Sequence, residues 1–399
     1  MTMAKLLNLY TLCFLLQIHT VYSMLDPLDF LALQSIKNSL HDMPGSNYFA
    51  SWDFTGDPCN FAGVYCDGGK VISLNLGDPR AGSPGLTGHL HPAIGKLTSL
   101  AEFTVVPGRI VGILPPSFSE LKNLRFLGIS RNFISGDIPA GLGELRLLRT
   151  LDLSYNQLTG IIPWSVGNLP ALTNVILGHN SLSGSVPRFG SQVLTRLDLK
   201  HNELSGSIGS DFLPPSLHYL SLSKNRLSGP VDQVLSKMIG LNYLDLSQNE
   251  FTGNIPGCLF TFPILNLYLQ RNLFTGSVQP YDQVRIPTVD LSYNRLSGQI
   301  SPLFATVQTL YLNNNRFMGQ VPSTFVHGLL DASMQNLYLQ HNYLTGIDIN
   351  PTVEIPVRSS LCLQYNCMVL PVQTPCPLKA GKQKTRPTVQ CIVWNGGVN

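Results

Sequence analysis

Three sets of side chains in this 399-residue sequence could do chemistry. Asp152, Asp198, Asp245 and Asp290 each stand between two apolar residues, in nearly the same local setting. Carboxylates a few ångströms apart can share a proton or divide acid and base roles. Eight cysteines offer thiolates for a metal or partners for disulfides. A series of tyrosines and basic residues supplies the types that dominate binding hot spots. Which chemistry is available depends on how far apart the chain holds these groups.

The spacing is set by a repeat. Asn132, Asn156, Asn180, Asn202, Asn225, Asn249, Asn272, Asn294, Asn315 and Asn342 recur every 21 to 27 residues, each preceded by a frame of the form LxxLxLxxN. LDLSYNQLTGIIP (Leu151 to Pro163) returns almost intact as LDLSQNEFTGNIP (Leu244 to Pro256). Two earlier copies lack the asparagine, one through Phe103 and Val105 with Gly108 in its place, the other through Leu74 and Leu76, giving about twelve coils. In LxL the leucines point one way and their neighbours the other, the period of a strand. One coil cannot bury its apolar side alone, so stability must come from stacking neighbours. The repeated asparagine is expected to serve the fold, because its amide both donates to and accepts from backbone groups where the chain turns inward.

This geometry removes catalysis. The four aspartates fall on different coils, mostly two apart, which at about 4.8 Å per strand puts neighbours roughly 10 Å apart. The chain also has no phosphate-binding GxxxxGK[ST], no kinase motif set and no recognisable nucleophile arrangement. No cofactor is implied. A net charge of +3 and 12% charged residues give no basic face for nucleic acid. The spacing of the rear cysteines does not match paired CxxC zinc knuckles. A binding surface is left.

A 20–29-residue period with this frame resembles leucine-rich repeats, and the LxGxIP ending resembles the extracellular plant subclass. The resemblance implies an α/β solenoid: a right-handed leucine-rich-repeat superhelix with a parallel concave sheet, disulfide-capped at both ends. It is to secreted plant proteins of two kinds, polygalacturonase-inhibiting proteins and the ectodomains of receptor-like proteins and kinases. The expected organisation is a signal peptide over 1–23, an N-terminal cap over 24–70, about twelve repeats over 71–350, and a C-terminal cap with a basic tail over 351–399. The signal reading rests on Lys5 ahead of an apolar run from Leu6 to Ile18, too short for a membrane span. It places the mature chain outside the cell, with no later span. In the resembling N-terminal cap the disulfide is Cys59–Cys66, with Phe61 standing where the family has Trp. Four rear cysteines allow three pairings, and the reading adopted is Cys362–Cys367 with Cys376–Cys391. Cys258 is left over, a thiol tucked into the array. Lys379, Lys382, Lys384 and Arg386 read as a solvated basic tail.

The outward positions of the repeats then form the expected binding face: Phe126, Arg131, Asp152, Tyr155, His179, Arg196, Asp198, Lys200, His201, Tyr219, Lys224, Tyr243, Asp245, Tyr268, Arg271, Asp290, Tyr293, Tyr311, Tyr338 and His341. Tyr219, Tyr243 and Tyr268 read as equivalent positions in three consecutive coils. The partners consistent with this face are an extracellular protein or peptide, a pectic polysaccharide, a microbial polygalacturonase, or a receptor-kinase ectodomain. Defence or developmental signalling is the expected setting, in the extracellular space or cell wall.

Overall fold

A computed structural model describes residues 25–77, 85–350, 352–370, 376 and 385–395. The signal segment, Cys13 and the three tail lysines lie outside the described residues.

The LxL frames become one inner sheet of fourteen strands among the described residues. Its first strand, Val64–Asp67, runs antiparallel to Lys70–Leu76. From there thirteen parallel strands follow in chain order to Ser360–Cys362. That is one more than the twelve coils read from sequence. Leu361, Leu363 and Asn366 complete an LxLxxN frame that the cysteines in LCLQYNC disguise. The leucines point inward: Leu127, Leu151, Leu197, Leu244, Leu267 and Leu310 are fully buried. Each such side chain contributes about 1.5–3 kcal/mol by leaving water.

The asparagine ladder closes every turn of the array from Asn132 onward. The Asn225 amide nitrogen donates to the carbonyls of Leu199 in the preceding coil (3.0 Å) and Leu222 in its own (3.0 Å). Its oxygen accepts from the amide of Leu204 at 3.0 Å. Asn156, Asn180, Asn202, Asn249, Asn272, Asn294, Asn315, Asn342 and Asn366 repeat the pattern. The residue before each asparagine has φ between 53° and 60°, a left-handed conformation that non-glycine residues seldom adopt. The amide bonds on either side hold it there.

The LSG and LTG stretches pair as three lateral sheets flanking the inner one. Short helical turns such as Pro92–Lys96 and Ala140–Glu144 fill the far side of each coil. At the front, the helix Pro27–Ser39 is capped by Asp26, whose carboxylate accepts from the amide of Leu28 at 2.8 Å. Leu33, Ile36 and Leu40 seal the first coil, and Cys59 is bonded to Cys66. Leu40–Asp42 adds antiparallel to Leu86–His89 and covers that lateral edge.

The rear end corrects two expectations. The disulfides join Cys362 to Cys376 and Cys367 to Cys391. Cys362 sits in the last strand, in register with Tyr338, while Cys367 lies beyond the turn asparagine. Each therefore bonds to the returning chain and not to the other. Arg386 is no solvated tail residue. Its guanidinium lies 4.0 Å from the Tyr343 ring and 4.6 Å from the Tyr365 ring, and its Nε donates to the Asn342 carbonyl at 3.0 Å. Cys258 is a half-buried free thiol against the core.

Candidate functional site

Four files of side chains cross the inner wall, fixed by strand register. The first precedes the strand leucine and contains Phe126, Arg196, Tyr219 and Tyr243. The second lies between the two inward residues and contains Asp152, Asp198, Asp245, Tyr268, Asp290, Tyr311 and Tyr338. Lys200, Gln270, Gln340 and Gln364 belong to the third. The fourth is not on the strands. Arg131, Tyr155, His179, His201, Lys224, Arg271, Tyr293 and His341 occupy the left-handed turn position just before each asparagine, so they form a separate rim.

Register also corrects the tyrosine series. Tyr219 pairs with Tyr243, but Tyr243 pairs with Asn266, and Tyr268 is level with Asp245. Tyr219 and Tyr243 stack at 4.5 Å with an interplanar angle of 5°, and Tyr268 meets Tyr243 edge-on at 6.2 Å. The Arg196 guanidinium covers the other face of the stack, 4.2 Å from the Tyr219 ring. Tyr311 and Tyr338 are in register, 4.8 Å apart, and Tyr338 is buried at 7% exposure. On the rim, Arg131 lies 4.2 Å over Tyr155, which stacks on His179 at 4.1 Å, which stacks on His201 at 4.7 Å.

The aspartates all have partners within the wall. Asp152 accepts from the amide and hydroxyl of Ser154, Asp290 does the same with Ser292, and Asp245 takes the Ser247 amide. Asp198 has lysine where the others have serine. It is buried, 3.7 Å from Arg196 and 3.5 Å from Lys200. Gly178 makes room for this trio, since a methyl there would lie 3.1 Å from the Asp198 carboxylate.

Burial tunes the wall. It raises the Tyr219 hydroxyl to about 12, with Asp198 acting in the same direction, and pushes Tyr243, Tyr268, Tyr311 and Tyr338 upward. These phenols stay protonated at any physiological pH and remain donors. Asp290 is raised by burial, against the bonds from Ser292. His179 is held below the usual imidazole range by burial and then by His201. Three acceptors escaped the sequence reading. The amide oxygens of Gln270, Gln340 and Gln364 are buried without a donor from the protein, and the Nε–H of Arg196 is buried without an acceptor. Buried polar atoms of this kind are rare and call for a partner. Their signal in the sequence was only a glutamine two places before the asparagine.

Among the described residues no helix is long and apolar enough to cross a membrane. The leucine-rich-repeat N-terminal domain family matches residues 26–67, and leucine-rich-repeat families match 98–182, 190–213, 240–262 and 306–327. Receptor-like protein 7 of Arabidopsis thaliana is 33% identical over 147 residues, covering 35% of this chain and 14% of that protein. The chain thus spans a small part of this relative's length. The plant peptide hormone receptor RGFR1, solved with RGF2, aligns at a TM-score of 0.62 and 26% identity over 72% of this chain and 51% of its own. A plant ice-binding protein aligns at 0.58 and 26% identity, over 84% of this chain and 99% of its own.

Proposed function

We propose that this chain, a leucine-rich-repeat protein with the ectodomain build of plant receptor-like proteins, is an exported recognition protein that holds an extended peptide, free or as part of a larger protein, along its inner wall. The observation that carries this is the use of the aromatic faces. Arg196, Tyr219 and Tyr243 spend their faces on one another, so the central stack offers a sugar ring little open platform. What remains open is phenol hydroxyls and ring edges, with the unpartnered amide oxygens of Gln270, Gln340 and Gln364 buried just beneath. An extended peptide supplies both N–H donors and C=O acceptors at strand spacing. That RGFR1 is solved with RGF2 supports the same reading, and the paired end cysteines support export. A pectic polymer fits this wall less well, and occlusion of a polygalacturonase or partnership with a receptor kinase would use the same surface.

The test is selection of binders from a random peptide display library, followed by hydrogen–deuterium exchange of the protein with the best peptide. Protection is expected in Arg196–Asp198, Tyr219–Ser221 and Tyr243–Asp245. Replacing Tyr219 and Tyr243 together by Ala weakens binding about thirtyfold, the size of one strong hot spot. Protection confined to the lateral sheets, or unchanged affinity in the double variant, overturns the proposal.

A second reading rests on the lateral sheets. Ser135, Thr159, Ser183, Ser205, Ser228, Thr252, Thr275 and Ser297 recur once in each of eight consecutive coils, and because Ser207 pairs with Ser228, Pro230 with Thr252 and Ser277 with Ser297, each sits two residues along the strand from the last, in an oblique rank of hydroxyls. A regular rank of this kind suits an ordered water lattice, and the full-length alignment with a plant ice-binding protein favours it. Partition of the purified protein into slowly growing ice, lost when Ser205, Ser228 and Thr252 become Lys, supports this reading. Complete exclusion from the ice removes it.

A further inference from the structure

The coils spanning residues 131 to 250 carry cations whose neighbouring carboxylates are already used. Asp152 and Asp245 are tied to Ser154 and Ser247, and Asp198 is buried between Arg196 and Lys200. Arg131, His201 and Lys224 stand exposed on the rim, with His179 half-buried between them. Both faces of the His179 imidazole are occupied, by Tyr155 and His201, so its edge is what solvent meets, while His201 has one face against His179 and is exposed. A ligand lying over this strip finds fixed donors and positive charge, and the wall's own carboxylates recessed.

We infer that this strip seats an acidic segment of a peptide ligand, with its carboxylates against His179, His201 and Lys224, and that the seat strengthens as His179 takes up a proton. The inference rests on the reading that the inner wall holds a peptide. The groups facing His179 are Tyr155, Asp198, Lys200, His201 and Lys224. Burial, His201, Lys200 and Lys224 all disfavour its imidazolium, and Asp198 alone favours it. An arriving carboxylate reverses that balance, so binding draws protons from solution and affinity rises as pH falls through the histidine range. The rise ends where the ligand's own carboxylates become protonated, near pH 4.3. Without ligand the sign is opposite. A base whose pKa is depressed in the fold binds protons more readily when unfolded, so the protein alone loses stability as pH falls below about 6.5.

The probe is a fluorescein-labelled hexaglutamate peptide, titrated by anisotropy at about pH 5.5 and about pH 7.5 in low salt. Binding about fivefold tighter at the lower pH is expected, for uptake of a fraction of a proton at His179. The His179→Gln, His201→Gln variant brings that ratio close to one, and Lys224→Gln weakens binding at both pH values. These residues sit at the surface, and unchanged melting of the Lys224→Gln protein shows that the fold is kept. A pH ratio that survives loss of both histidines overturns the inference. So does tighter binding of an oligogalacturonate of equal charge, which would reassign the strip to a pectic anion. If display-selected peptides protect the inner strands but hexaglutamate fails to bind at either pH, the acidic seat falls while the peptide-holding wall stands.

Discussion

Replacing Asn225 by leucine lowers the unfolding free energy by about 3 kcal/mol, read as a shift in the urea midpoint at unchanged slope. Leucine has nearly the shape of asparagine, so the site neither empties nor overfills. What is lost is bonding: the carbonyls of Leu199 and Leu222 and the amide of Leu204 are left inside the array without their partner. Each such orphan costs about 1–3 kcal/mol, and water reaches some of them when the coil loosens. Lys224, held left-handed by its neighbour's bonds, adds its own strain to the damage. The control is Asn254→Leu, an exposed asparagine two residues past the lateral strand Glu250–Thr252, which should stay within about 0.5 kcal/mol of the parent. Equal midpoints for the two variants would show that the ladder is not what joins coil to coil.

That ladder was readable because one residue type recurs at one offset from an alternating frame, and a strand's period of two leaves little choice of inward side. Other features fail the same reading for physical reasons. Tyr243 stands six places before its asparagine and Tyr268 four, so counting from Asn249 and Asn272 separates them, whereas matching by residue type merges them. The rim was merged with the strands because backbone conformation is silent in sequence: tyrosine, histidine, lysine and arginine at φ near +55° advertise nothing. The lateral sheets depend on contacts between coils that the LSG stretch does not show by itself, and its glycine looks like a turn. Pairing of Cys362 and Cys367 is decided by where the chain comes back after leaving the last coil, which no spacing within the segment encodes. The aspartates were legible in part. A serine two places on converts Asp152, Asp245 and Asp290 into local caps, and Lys200 in that place marks Asp198 as the exception.

Gly63→Ala removes the N-terminal cap at an expected cost of about 4 kcal/mol, the sum of left-handed strain and lost contacts. The residue has φ near +75°, and a methyl group there would collide with the Asn75 carbonyl and the Tyr48 hydroxyl. That hydroxyl sits 2.7 Å from the carbonyl of Ala62 and 2.6 Å from that of Asn75, where the cap meets the first coil. Trp52 also donates to the Ala62 carbonyl, at 3.0 Å, and its ring lies 5.6 Å from Phe61. Moving Gly63 therefore disturbs the cap's aromatic cluster and its seam with the sheet together. Gly45→Ala separates the causes, because Gly45 has φ near +91° with nothing within 4 Å of the added carbon. It should cost only the backbone strain, about 1–2 kcal/mol. Limited proteolysis gives an independent readout. An opened cap exposes the 40–70 segment to cleavage while Asn132 and the coils beyond stay resistant, since each coil depends chiefly on its neighbours. If both glycine variants melt alike and resist protease alike, crowding at Gly63 is not what fixes the cap, and Cys59–Cys66 with the helix Pro27–Ser39 must hold it alone.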